Sequence, residues 1–354
     1  MSFLAESGLL LPVIQAPMAG VQGSALALAV CAGGGLGSLP AAMLPMGELR
    51  RELAALRAGT DRPWNVNFFA HTPPPLPDPA RETAWRQRLA PYYREFGIDP
   101  EAIPAGPGRL PFNEEAAALV EEFRPPVVSF HFGLPAEHLL ARVKTAGAFV
   151  MSSATTVAEA RWLAAHGADA VIAQGLEAGG HRGIFLGDDL TTQVGTIALL
   201  PQIVAAVACP VVAAGGIADA AGAAAARALG AAAVQAGTAY LLCPEATTGA
   251  LHRAALHRAA LQTDAVAHTA LTNLFSGRPA RGIVNRLMRE QGPLNPAAPA
   301  FPLAAAAVAP LRAAAEKQGR TDFTPLWCGQ NAVSCRPVPA AEVTRELARG
   351  FAAG

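Results

Sequence analysis

One histidine, His181, stands among four glycines in the stretch QGLEAGGHRG at 174–183. An imidazole can take or hold a proton near neutral pH, and glycines let a substrate come near it. His181 is therefore the leading candidate base. His131, in VVSFHF, competes with it, and His71 is a weaker rival. Two short motifs, AAGGIAD (213–219) and QAGTAY (235–240), carry glycines of another kind of use. There the backbone N–H groups can approach an anion closely, which suits a phosphate. The amides of Asn67, Gln174 and Gln235 can each donate and accept, as the edge of a heteroaromatic ring such as a flavin requires. Two histidines and Glu177 could in principle hold a metal, but no HExxH or close ligand pair supports it, so none is expected. A GxxxxGK[ST] loop is absent from the sequence, which argues against an NTPase.

These residues need elements that bring them together. Eight short apolar runs recur along the chain: 13–18, 36–40, 64–69, 127–132, 149–154, 170–175, 210–216 and 232–240. They lack polar alternation, as parallel strands covered on both faces do. Helix-like segments lie between them. TTVAEARWLAAHG opens on a threonine cap and closes on Gly167, and ADAAGAAAARALG opens near Asp219 and closes on Gly230. Repeated strand, helix and glycine predict an α/β fold, a closed (β/α)8 TIM barrel. Its active site should lie at the C-terminal ends of the strands, where all the residues above fall.

Two stretches break the rhythm. Residues 70–123 are proline-rich and contain a charged helix candidate, ARETAWRQRLAPYYREFG, in an excursion between the third and fourth strands. Residues 243–330 show no clear strand and are expected to form a smaller, mostly helical domain over the barrel mouth, inserted after the last strand. The barrel is expected over 1–242, completed by a C-terminal helix within 331–354.

Composition sets the outer limits. The 354 residues are 52% hydrophobic and 15% charged, which favours a large core over disorder. Lys+Arg and Asp+Glu balance at 27 each, so nothing points to nucleic acid. Five cysteines without a CxxC pair suggest reduced thiols, and the start MSFLAESGLLLPVIQ lacks a basic leader. A cytoplasmic protein with a small-molecule partner, off the membrane, is expected, as monomer or homodimer.

Together PVIQAPMAG, NVNFF, FHFG, AQGLEAGGHRG, AAGGIAD and QAGTAY resemble the nitronate monooxygenases, from about residue 10 to the WCGQ at 327–330. The likeness is greatest to the class I type that acts on propionate 3-nitronate. The resemblance implies FMN, bound through Asn67, Gln174, Gly179, Gly216, Gln235, Ala236, Gly237 and Thr238, with His181 matching the catalytic histidine. It implies that O2 oxidises an alkyl nitronate to a carbonyl compound and nitrite, the flavin being reduced in a one-electron step without NAD(P)H. His131, Met18 and Arg281 are candidate substrate contacts. Arg182, Arg278, Arg281 and Arg286 could pair with a carboxylate on the substrate. Two other readings stand beside it: an FMN-dependent NAD(P)H:quinone or enoyl reductase of the same barrel type, and a barrel that only binds a ligand.

Overall fold

The computed structural model describes residues 3–73, 78–103, 109–261, 268–333 and 335–352. Eight of its strands form one parallel sheet: β1 (Val13–Gln15), β2 (Gly37–Pro40), β3 (Trp64–Phe69), β4 (Val127–His131), β5 (Phe149–Ala154), β6 (Ala170–Gln174), β8 (Val211–Ala214) and β9 (Ala233–Ala236). Each falls within one of the eight apolar runs. Neighbours pair in the order β1-β9-β8-β6-β5-β4-β3-β2. A parallel bridge between Ile14 and Leu36 then joins the two ends, with Gln15 N–H donating to Leu36 O at 3.0 Å. The sheet is thereby a closed TIM barrel.

The covering helices begin and end where the local chemistry says they should. Thr156 accepts from Glu159 N–H at the start of the helix Val157–Ala165, and Asp219 accepts from Gly222 N–H at the start of Ala220–Ala228. Each hydroxyl or carboxylate satisfies an N–H that the first turn leaves free. Gly167 and Gly230 follow these helices with φ of 103° and 96°, a left-handed turn that stops them. The last helix, Ala340–Ala352, packs against Ala220–Ala228 and Ser24–Ala32. Small alanine faces let these helices lie close together.

Two expectations about the outer layer need correction. The stretch 243–330 carries strands as well as helices: β10 (Thr269–Thr272) and β11 (Ala280–Ile283) form an antiparallel pair. Their sequences, TALT and ARGI, are too short and mixed to stand out from a loop. A third strand, β7 (Gly180–His181), joins this pair antiparallel to β11. The layer is also not made from one segment. The helix Pro79–Glu95 of the excursion puts Trp85, Leu89, Tyr92 and Tyr93 into one apolar cluster with Leu274, Leu287, Leu311 and Phe323. Tyr93 Oη donates to Ala307 O at 2.7 Å. The proline runs at 74–77 and 104–108 lie outside the described residues, as do residues 262–264 of the predicted helix ATTGALHRAALHRAALQTD. Among the described residues no helix is long and apolar enough to cross a membrane, and all five cysteines are free.

Candidate active site

A cavity of about 200 Å³ opens at the C-terminal ends of the barrel strands. Asn67, Gln174, Gly179, Gly216, Gln235, Ala236, Gly237, Thr238, His131, Met18 and His181 all line it. Arg281 does not. It is buried, its Nε donates to Leu176 O at 2.9 Å, and its Nη1 reaches Thr269. A guanidinium this enclosed must find acceptors nearby, and the loop carbonyl supplies one. Arg281 thus braces the loop after β6 rather than reaching substrate. Arg182 is likewise spent: fully buried, it donates to the carbonyls of Gln174 and Gly175 and to Gln193 Oε1. Arg286 forms ion pairs with Glu95, Glu290 and Asp322 outside the cavity.

The loop 174–183 is far from slack. Gln174 Nε2 donates to His181 O at 2.9 Å, and Gln174 Oε1 accepts from Gly183 N–H at 2.7 Å. Each end of that amide holds the loop through one hydrogen bond, and Gln174 also lines the cavity. Glu177 accepts from Thr196 N–H and Thr196 Oγ1 at the start of the helix Thr196–Ala206, an anion at a helix N-terminus. It ties the loop down and makes no bond to His181. Gly179 is required by crowding: a Cβ there would meet Gly329 N at 2.5 Å and the Cys328 carbonyl carbon at 2.6 Å.

His181 is held by these contacts and by pairing with Ala280 on β11. Its Nε2 lies 2.8 Å from Ser276 Oγ. The rings of Phe69, Phe132, Phe301 and Trp327 surround it at 5.6–6.2 Å. Burial, then the positive charge of Arg109, pushes its pKa well below the usual histidine value. It is a neutral imidazole at physiological pH, able to accept a proton. His131 uses both nitrogens, Nδ1 on Ser153 Oγ at 3.0 Å and Nε2 on His181 O at 3.2 Å. Burial lowers its pKa to about 4. His131 therefore lines the cavity and supports the backbone of His181.

The opposite wall is built from the ends of β8 and β9. Gly215 and Gly216 take φ of 119° and 72°, a left-handed backbone that favours glycine, and both line the cavity. The N–H groups of Gly216 and Gly237 have no acceptor among the described residues. Gln235 Oε1 is a buried acceptor that also has none. Asn67 Nδ2 donates to Ser129 Oγ at 2.9 Å, which fixes the direction of its amide.

Several lining residues carried no signal of their own. Arg109 lies between proline runs, and His252 sits on a helix with its Nε2 3.1 Å from Trp327 O. Ser276, which meets His181 but is not itself among the lining residues, lies in SGRPARGIVNRL, a stretch notable in sequence for its arginines instead.

The nitronate monooxygenase family model matches residues 3–350. The chain is 44% identical to the nitronate monooxygenase of Pseudomonas aeruginosa over 96% of each chain. The chain belongs to the nitronate monooxygenase family. It is 41% identical to the nitronate monooxygenase of Paraburkholderia phytofirmans, over 96% of this chain and 91% of that one. Among solved structures it is similar to nitroalkane oxidase from Streptomyces ansochromogenes, at 40% identity, 98% coverage of both chains and a TM-score of 0.86. A variant of FabK from Thermotoga maritima superposes with a TM-score of 0.70 at 26% identity, covering 99% of this chain and 95% of that one. As a nitronate monooxygenase family member the protein is an oxidoreductase, and the family depends on a flavin.

Proposed function

We propose that the protein binds FMN and uses O2 to oxidise alkyl nitronates, propionate 3-nitronate above all, to a carbonyl compound and nitrite. The observation that carries this is the unpaired Gln235 Oε1, buried in the wall that faces the cavity holding His181. A buried acceptor without a partner is costly, and a flavin ring N–H would satisfy it. The free N–H groups of Gly216 and Gly237 suit the FMN phosphate. When bound, FMN supplies a redox group between the nitronate and O2.

The chain's own part is then modest. A nitronate is already a carbanion equivalent, so no difficult proton must be removed. Residues of the cavity hold the anion and exclude water, and the phenylalanine rings around His181 provide a dry wall. Neutral His181 can hydrogen-bond the nitronate, or take the proton of a neutral nitroalkane.

Purified holoenzyme should be yellow, and propionate 3-nitronate should bleach the flavin bands without air. In air the same mixture should consume O2 and release nitrite, with no need for NADH. The likeness to FabK supports one rival, a reductase fed by NAD(P)H. Rapid NADH oxidation with a quinone or enoyl thioester, and no response to nitronate, would overturn the monooxygenase reading.

A further inference from the structure

Four consecutive residues of the outer layer each donate one hydrogen bond to a different segment. Cys328 N–H donates to Arg281 O, on β11, at 3.3 Å. Gly329 N–H donates to Thr238 Oγ1, after β9, at 2.9 Å. Gln330 N–H donates to Glu177 O, after β6, at 3.0 Å. Asn331 Nδ2 donates to Gly216 O, after β8, at 2.9 Å. The last three acceptors belong to residues that line the cavity. Gly329 must be small here, since a Cβ would meet Glu177 O at 3.0 Å and Gly179 N at 3.3 Å. Residues 328–331 thus lie directly on the loop that carries His181 and join it to the loops after β8 and β9.

Asn331 alone among the four acts through its side chain. A trans peptide points its C=O and its N–H in opposite directions. A bond that fixes Gly216 O therefore also fixes the N–H of Ile217, in the same peptide. That N–H, like those of Gly216 and Gly237, has no acceptor among the described residues. Unpaired backbone donors on a cavity wall suit an anion. Positive charge is scarce there. Among the described residues Arg109 is the only Lys or Arg that lines the cavity, and it stands over Phe301, one of the rings around His181. A phosphate at the ends of β8 and β9 would be held by neutral N–H groups, so their direction decides how well it is held.

We propose that Asn331 is a positioning residue for the phosphate of the cofactor, acting through Gly216 O, and that residues 328–331 clasp that end of the site. The inference rests on the FMN reading of the cavity. It also gives the outer layer a role: a segment far beyond the last barrel strand completes the barrel's cofactor site.

The test titrates the flavin-free, full-length protein with FMN and with riboflavin, which lacks the phosphate. The readout is the ratio of the two Kd values, from flavin fluorescence. The wild type should bind FMN more tightly than riboflavin. Asn331→Ala should weaken FMN about tenfold or more and leave riboflavin within about twofold, so the ratio contracts. Asn331→Asp keeps the size of the side chain but loses the donor. It should contract the ratio at least as much, and it carries the test if the alanine variant does not fold. An unchanged ratio in either folded variant, with both flavins bound as before or both weakened alike, would overturn the proposal. A wild type that binds both flavins alike would also overturn it, while leaving a flavin site in place. If the wild type binds neither flavin, the FMN reading falls, and inorganic phosphate then decides the clasp. A rise in Tm with phosphate that the Asn331 variants lose would keep an anion site there, and any other result would overturn it.

Discussion

His181 Nε2 lies 2.8 Å from the hydroxyl of Ser276, ninety-five residues further along the chain. That hydroxyl also lies 3.3 Å from Arg278 O, to which it can donate. If it does, Ser276 accepts the Nε2 proton, and Nδ1 of His181 carries the free lone pair. One hydroxyl thus selects the tautomer of the candidate base.

Ser276→Ala removes that partner while leaving the ring in place. Turnover with nitronate should fall about tenfold or more, because a reacting group loses its orientation. Flavin content should be unchanged, and Ser276→Thr should restore part of the loss. Steady-state O2 consumption and the visible spectrum check both. Full activity in the alanine variant would mean that the hydroxyl does not orient the ring.

His181→Asn should keep the yellow colour and lose most turnover, on the order of a hundredfold. His131 is fully engaged with Ser153 and with His181 O, so it offers no ready substitute. An unimpaired His181→Asn enzyme would shift the role to His131 or to no histidine.

Acid should destabilise the protein through its buried histidines. His71, His131 and His252 are each held near a pKa of about 4, chiefly by burial. Their unfolded values lie near 6.5. Between those limits the unfolded chain binds more protons, so stability is complete above about 6.5 and is lost as pH falls toward 4. Thermal melts from pH 7.5 to 4.5 should show Tm dropping steadily. A flat Tm over that window would mean that these imidazoles are not buried neutral. For the same reason kcat should show no inflection near pH 6.5 from His181, whose pKa lies well below it.

Gly179→Ala puts a methyl against the Cys328–Gly329 peptide bond, whose carbonyl carbon and nitrogen it meets together. That peptide cannot yield cheaply, so the loop must shift, at a cost of about 1–3 kcal/mol. Flavin retention through gel filtration and Tm should both fall. Gly180→Ala meets no atom within 4 Å, and only its φ of +70° opposes it, so its effect should be smaller. Equal effects would remove crowding as the reason for Gly179.

The barrel was legible because its signals are local. Eight apolar runs, the caps at Thr156 and Asp219 and the stops at Gly167 and Gly230 depend on residues within one turn of each other. The placement of site residues at strand ends follows from the fold itself. The partners of the side chains were not legible. QGLEAGGHRG reads as a flexible glycine loop, yet β11, a hundred residues away, turns its centre into a strand. Gln174 reads as a ligand contact, and the sequence does not show that its amide also bonds Gly183 N–H and His181 O. Arginines in the sequence are equal, whereas tertiary contacts spend Arg182 and Arg281 on carbonyls and leave Arg278 Nη1 without an acceptor among the described residues. Periodicity and capping act over a few residues and are written in the sequence. Which long polar side chain meets which acceptor depends on segments joined only when the chain folds, and that the tertiary structure alone decides.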